Sequence, residues 1–313
     1  MTSNSIGVAV IGGGMAGRAH AAGYRMASTL FGTDRPDVRL VAIADTNQAV
    51  ADDTAKRYGY ERAEYSWQAI AESPDIDAVS VVVANQLHRE IVEGLLAAGK
   101  HVLCEKPLAG SITDAEAMVA AAADADTIAT VGYTYRRSPA IQRSATNSRR
   151  ADSATSSTST GTTGATTAST PPRRSPGGTA GVPERALADV GSHLLDMAEF
   201  VCGPIVEISG ATFATVITER PVPAGVTYGH TKAETTGEMA PVENEDLATF
   251  TARFQNGAVG TFSASRVAHQ LPDGLGFELF GTSGSAAFDL ARAAEFSVSS
   301  EGLDRTVNGQ RRV

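Results

Sequence analysis

The first 137 residues predict a doubly wound α/β fold, and two observations predict it. Short, nearly continuous apolar runs alternate with helix-period segments, as in a parallel sheet buried on both faces. The first run also opens directly into Gly12-Gly-Gly14-Met-Ala-Gly17, a GxGxxG turn followed by helical sequence.

The elements follow in order. Residues 7–11, 40–44, 63–65, 78–83 and 102–104 read as strands, with helices at 16–26, 48–58 and 89–98. A further helix enters through Thr113-Asp-Ala-Glu116, which fits a capping box, and a sixth strand follows at 128–133. This gives a first domain over 5–137 and a second over 138–313.

In the glycine turn, Gly12 permits the tight bend, Gly14 lets a pyrophosphate approach the backbone, and Gly17 lets the helix pack on the sheet. The phosphates would rest on the N–H groups of the helix that Met15 and Ala16 begin. Asp45 ends the second strand and is suited to accept hydrogen bonds from ribose hydroxyls; the loop over 31–37 explains its long spacing from the glycines. A carboxylate there would repel a 2′-phosphate, so NAD is expected rather than NADP. The fifth strand ends in Cys104-Glu105-Lys106-Pro107, where strand ends of an open parallel sheet line a ligand crevice. Lys106 is placed there to touch substrate and nicotinamide together. Asn85 and His88 border the same crevice, and His88 reads equally as a helix-capping residue. The expected cofactor-binding set is Gly12, Gly14, Met15, Ala16, Gly17, Asp45, Asn85, His88, Glu105 and Lys106.

Composition narrows the function classes. The 313 residues, 42% hydrophobic and 19% charged, leave room for two globular domains. A net charge of -9 and a pI near 5.2 argue against a nucleic-acid partner. No apolar run approaches the roughly 20 residues of a membrane helix, and the N-terminus lacks a secretory layout. Two distant cysteines, Cys104 and Cys202, exclude a disulfide scaffold. The expectation is a cytoplasmic protein without a metal site.

From Arg143 to Ala180 every residue except Asn147 and Asp152 is Ser, Thr, Ala, Gly, Pro or Arg. Such a stretch buries too little surface to offset its ordering entropy and reads as a disordered linker. A second reading is a pair of compensating frameshifts near 142–144 and 184–186. GC-rich codons read one nucleotide earlier permit a helix pattern and then a strand of alternating aromatics. The pattern resumes with a helix over 186–201, striped by Val190, Leu194, Met197 and Val201. Asp189 and His193 stand four apart on it, so they share a face. They read as a structural helix pair or as a proton-transfer pair. Strands follow at 205–213, 247–254, 258–265, 276–280 and 285–288, with a hairpin through Asn256-Gly257 and a second turn at 281–284. Arg266 and His269 read as loop residues or as substrate or interface contacts, and 234–245 as a solvated acidic loop.

The set GGGMAG, Asp45, Asn85-Gln-Leu-His88, AGKHVLCEKPLA, GYTYRR and ADVGSHLLDMAEF resembles the glucose–fructose oxidoreductase / inositol dehydrogenase / MocA family over 6–142 and 186–298. Val83-Ala84 before Asn85 departs from the Thr-Pro frequent there. The resemblance implies an N-terminal Rossmann domain and a C-terminal α+β domain on an open, mainly antiparallel sheet. It implies an NAD-dependent dehydrogenase acting on a secondary alcohol of a cyclic sugar or polyol, with Lys106, Asp189 and His193 as its substrate and acid–base group. A homo-oligomer formed through the C-terminal sheet is implied as well. The resembling proteins carry closing helices beyond the position of Val313, so a C-terminal truncation is expected. The competing expectation is a dinucleotide-binding protein without catalysis, a sensor or an inactive product.

Overall fold

The structure is a computed structural model describing residues 5–31, 36–143, 145, 160–166, 185–224, 235–268, 274–281, 284–300 and 311–312. The chain divides into two compact units, the first running to Gly132 and the second beginning at Tyr133. Among the described residues, no helix is long and apolar enough to cross a membrane.

The first unit is built on a parallel sheet of β1 (Ser5–Ile11), β2 (Asp37–Ala44), β3 (Arg62–Glu64), β4 (Ala78–Val81), β5 (His101–Cys104) and β6 (Ala129–Val131). Their order is β3-β2-β1-β4-β5-β6, the Rossmann arrangement, in which the order of strand addition reverses between β1 and β4. Val8, Val10, Val41, Ile43, Val79 and Val81 are all buried, as expected of strands covered on both faces. The connecting helices are α1 (Met15–Leu30), α2 (Gln48–Tyr58), α3 (Trp67–Glu72), α4 (His88–Ala97) and α5 (Ile112–Asp124). Asn47 caps α2 by accepting from the Val50 amide, and Gly59 ends it in the left-handed conformation. Two readings change here. The cap of α5 is Ser111, whose hydroxyl accepts from the Asp114 amide, so the helix is capped two positions before the expected Thr113. Short α3, absent from the sequence reading, is pinned by one fully buried side chain, Ile70.

The second unit carries a sheet ordered β16-β15-β14-β13-β7-β12-β11-β8. Its strands are β7 (Thr160–Thr166), β8 (Ile205–Ala214), β11 (Leu247–Phe254), β12 (Val259–Ser265), β13 (Gly274–Phe280), β14 (Gly284–Asp289), β15 (Phe296–Ser300) and β16 (Arg311–Arg312). All pairings are antiparallel except β7 with β12. A separate ribbon pairs β9 (Glu219–Pro223) with β10 (Thr235–Pro241). Helix α6 (Ser192–Cys202) packs Leu194, Met197 and Val201 into a core with Phe250, Phe254, Phe262 and Phe277. Burying a side chain of this size contributes roughly 1.5–3 kcal/mol. The Asn256-Gly257 hairpin sets Phe250 opposite Phe262, with rings stacked at 4.8 Å.

Three expectations are amended in this unit. Within the Ser/Thr-rich stretch, read as a disordered linker or as the product of two frameshifts, residues 160–166 form β7, paired through the backbone to β12 and β13; residues 144, 146–159 and 167–184 lie outside the described residues. The helix expected over 186–201 begins instead as a π-turn, Leu187–Gly191, before α6 continues it. The wider turn shifts the apolar stripe, so that Gly191 is buried and Val190 only partly. Residues 235–245 are not a loop throughout: β10 occupies 235–241, largely exposed as expected, but Asn244 and Glu245 behind it are buried, Glu245 at 8% exposure; residue 234 lies outside the described residues.

Candidate active site

In the first unit, β1 delivers the chain into the glycine turn, and the Gly12 amide donates to the Ala44 carbonyl at 2.7 Å. Gly12 has φ +103°, and a Cβ on Gly17 would lie 1.7 Å from the Gly12 carbonyl oxygen. Only glycines allow α1 to start this close to β1. At Gly14 the surroundings are open, with nothing within 4 Å of an added Cβ. No side chain caps α1 and no acid occupies its first turn, so its N–H groups and positive dipole end are available to an anion. Met15 and Ala16, at that end, are exposed. Asp45 stands beside the turn: one carboxylate oxygen accepts from the Gly13 amide and the other from the Asn47 amide, both at 2.8 Å. The guanidinium of Arg18 is paired to Asp53 and donates to the Gly13 carbonyl, which further fixes the turn. An open phosphate cradle beside a placed carboxylate fits a dinucleotide.

Glu105, Lys106 and Pro107 follow β5, joined by a cis Lys106–Pro107 peptide. Burial pushes the Glu105 carboxyl up. Hydrogen bonds from His20 and from the Lys106 amide, with the positive charge of Lys106, outweigh that and hold it below the usual range. Asn85 opens a 3-10 turn just past β4 and is half-buried. His88 is not a helix cap. It is the first residue of α4, 1% exposed, with Nδ1 3.1 Å from the carbonyls of Pro107 and Leu108 and Nε2 3.1 Å from that of Val83. The ring ties the segment after Lys106 to the end of β4. Cys104 is 2% exposed, and burial, with Glu105 beside it, pushes its thiol up to about 12. Iodoacetamide at pH 8 is therefore expected to leave Cys104 unmodified in the folded protein and to alkylate it fully in denaturant, as peptide mass spectrometry would show.

In the second unit, the π-turn carries Asp189 and the first turn of α6 carries His193. The amides of Ala186 and Leu187, which open this segment, donate to Glu245: the first to its carbonyl, the second to its carboxylate, each at 3.2 Å. A carboxylate at this helix start also complements the dipole. Arg266, read from sequence as a loop residue or a substrate or interface contact, lies 3.8 Å from the Asp189 carboxylate. His269 lies outside the described residues. The His193 ring meets the edges of Tyr135 (4.8 Å between centroids) and Tyr133 (6.1 Å). Below it Asp196, 6% exposed, takes a two-pronged bond from Arg136, whose guanidinium also stands over Phe200. Tyr133, Tyr135 and Arg136, assigned from sequence to the first domain, thus pack with the second unit. Their position in the GYTYRR motif gave no clue to that role.

Two family models match. One, described as an oxidoreductase family with an NAD-binding Rossmann fold, covers 6–133, and the GFO/IDH/MocA C-terminal domain covers 154–287. The levoglucosan dehydrogenase of Pseudarthrobacter phenanthrenivorans is 34% identical over 304 residues, spanning 94% of this chain and 76% of that one. The myo-inositol 2-dehydrogenase of Thermotoga maritima is 27% identical, spanning 95% of this chain and 79% of its own. A solved levoglucosan dehydrogenase in complex with NADH and levoglucosan superposes with a TM-score of 0.86 at 29% identity, covering 99% of this chain and 80% of the other. With its glycine turn, its sheet order and both family domains in place, the chain belongs to the GFO/IDH/MocA family and is an NAD-binding oxidoreductase.

Proposed function

We propose that this protein oxidises a secondary alcohol of a cyclic sugar or polyol. NAD, when bound, supplies the hydride acceptor at nicotinamide C4. His193 takes the hydroxyl proton, its ring orientation limited by the flanking tyrosine edges. The Lys106 ammonium polarises the same oxygen and stabilises the negative charge that develops on it. Asp189 accepts a hydrogen bond from a neighbouring hydroxyl and orients the ring. The observation that carries the reading is Lys106 at the carboxyl end of β5, in the sheet whose β1 leads into the open phosphate cradle. The relatives named for levoglucosan and myo-inositol support a cyclic, polyhydroxylated substrate. The proposal extends to a homo-oligomer formed through the second unit's sheet, on the face where Thr249, Thr251 and Thr261 alternate with buried neighbours.

The test is NADH formation from NAD with levoglucosan, myo-inositol and related cyclic polyols, beside acyclic alcohols as controls. Turnover is expected on a cyclic polyol, with kcat/KM for NADP lower by about tenfold or more, equivalent to roughly 1.4 kcal/mol. Asp45→Asn, which keeps an acceptor and removes the charge, should narrow that gap. No NADH from any polyol would overturn the substrate assignment, and equal use of NADP would overturn the role of Asp45.

A further inference from the structure

A chain of polar side chains runs under Lys106 that the proposed chemistry leaves unused. His20 lies on the sheet-facing side of α1, two positions past Arg18 and one turn before Tyr24. Its Nε2 is 2.9 Å from a Glu105 carboxylate oxygen, and its Nδ1 is 3.0 Å from the Ser80 hydroxyl. The Tyr24 hydroxyl lies 2.8 Å from the same Ser80 oxygen. The second Glu105 oxygen accepts from the Lys106 amide at 3.0 Å. Ser80 is fully buried, and the His20 and Glu105 side chains are 12% and 18% exposed.

The donor roles follow from chemistry. An ionised carboxylate only accepts, so Nε2 carries the proton toward Glu105. In the neutral ring Nδ1 is then an acceptor, Ser80 donates to it, and the Ser80 oxygen accepts from Tyr24. Every member is satisfied in a single sense. A fully satisfied buried network of this kind fixes geometry, whereas a half-satisfied one would be costly. The end of β6 closes in from the other side, since a Cβ on Gly132 would come within 3.0 Å of Glu105 Oε1. The helix that starts at the cofactor turn is thereby linked, side chain to side chain, with the backbone of Lys106.

We propose that His20, held by Ser80 and Tyr24, is a positioning residue for Lys106: it clamps Glu105 so that the carboxylate's other oxygen fixes the Lys106 amide. The inference rests on Lys106 acting on the substrate oxygen as proposed above. Two readouts on the full-length protein test it, in His20→Ala, His20→Gln and His20→Asn. The first is kcat and KM with a cyclic polyol and NAD. The second, independent of turnover, is hydrogen–deuterium exchange of the peptide containing Glu105 and Lys106. His20→Ala should lower kcat at least about tenfold with KM for NAD nearly unchanged, the mark of a misplaced catalytic group. Exchange at the Lys106 amide should rise by a similar factor. Gln presents an N–H near the place of Nε2 and should rescue both readouts. Asn presents one near Nδ1, on the Ser80 side, and should not.

Wild-type exchange in His20→Ala, or equal rescue by Gln and Asn, would overturn the inference. If the unmodified protein oxidises no polyol, the functional reading falls by itself, and the exchange comparison still decides whether His20 holds Lys106. Should the alanine variant fail to fold, the Gln and Asn variants make the same comparison.

Discussion

Replacing Lys106 by methionine is expected to cut polyol oxidation about a thousandfold while leaving the affinity for NADH within about threefold. Methionine keeps the length and much of the volume of the side chain but has no charge and no donor. What is lost is the polarisation of the reacting oxygen. The residues around the glycine turn are untouched, so titration of NADH fluorescence should give nearly the wild-type curve. A His193→Ala variant should fall by about a hundredfold or more, because it removes the proton acceptor and leaves the charge stabilisation in place. Full activity of either variant would remove that residue from the mechanism. Equal loss of NADH binding and turnover in Lys106→Met would make the lysine a cofactor anchor instead.

The second large effect separates two glycines three positions apart. Gly17→Ala places a methyl 1.7 Å from the Gly12 carbonyl oxygen, so α1 must move off the sheet or β1 must yield. A cost of about 3 kcal/mol, at the upper end for overpacking, is expected. For a domain of this size that lowers the thermal midpoint by roughly 10 °C, measurable by circular dichroism. Gly14→Ala meets nothing within 4 Å and should leave the melting curve unchanged. Its methyl instead stands where the pyrophosphate would lie, so NADH affinity should fall by about tenfold or more. A stable Gly17→Ala, or a Gly14→Ala that binds NADH normally, would contradict the reading of the turn.

The sequence made the first unit legible because its parallel strands are uninterrupted apolar runs and its cofactor turn is local. Gly12, Gly14, Gly17 and Asp45 could be found because their signals lie within a strand–turn–helix unit. What escaped depends on distant partners. His20 meets Ser80 and Glu105, 60 and 85 positions away, and a lone histidine on an amphipathic helix gives no sign of them. Glu245 read as solvated because acids usually are. Its burial is offset by the Leu187 amide, 58 positions earlier, which donates to its carboxylate. The π-turn also lay beyond periodicity, since the stripe of Leu194, Met197 and Val201 fits a regular helix just as well. Short elements without an apolar rhythm, such as α3, β9 and β10, were missed for the same lack of a local signal.

The position of β7 has a consequence for how the second unit comes together. The β11–β12 hairpin and the β13–β14–β15 meander each form from contacts close in sequence and can assemble quickly. Between them lies a strand whose residue Thr160 pairs with Val259, about a hundred positions away, so joining the two halves must first close a long loop. The strand is made of Thr, Gly and Ala, residue types that carry little apolar surface to set against that loss of chain freedom. The slow step in folding this unit is thus expected at this seam, in the closure of one long loop rather than in the formation of its phenylalanine core.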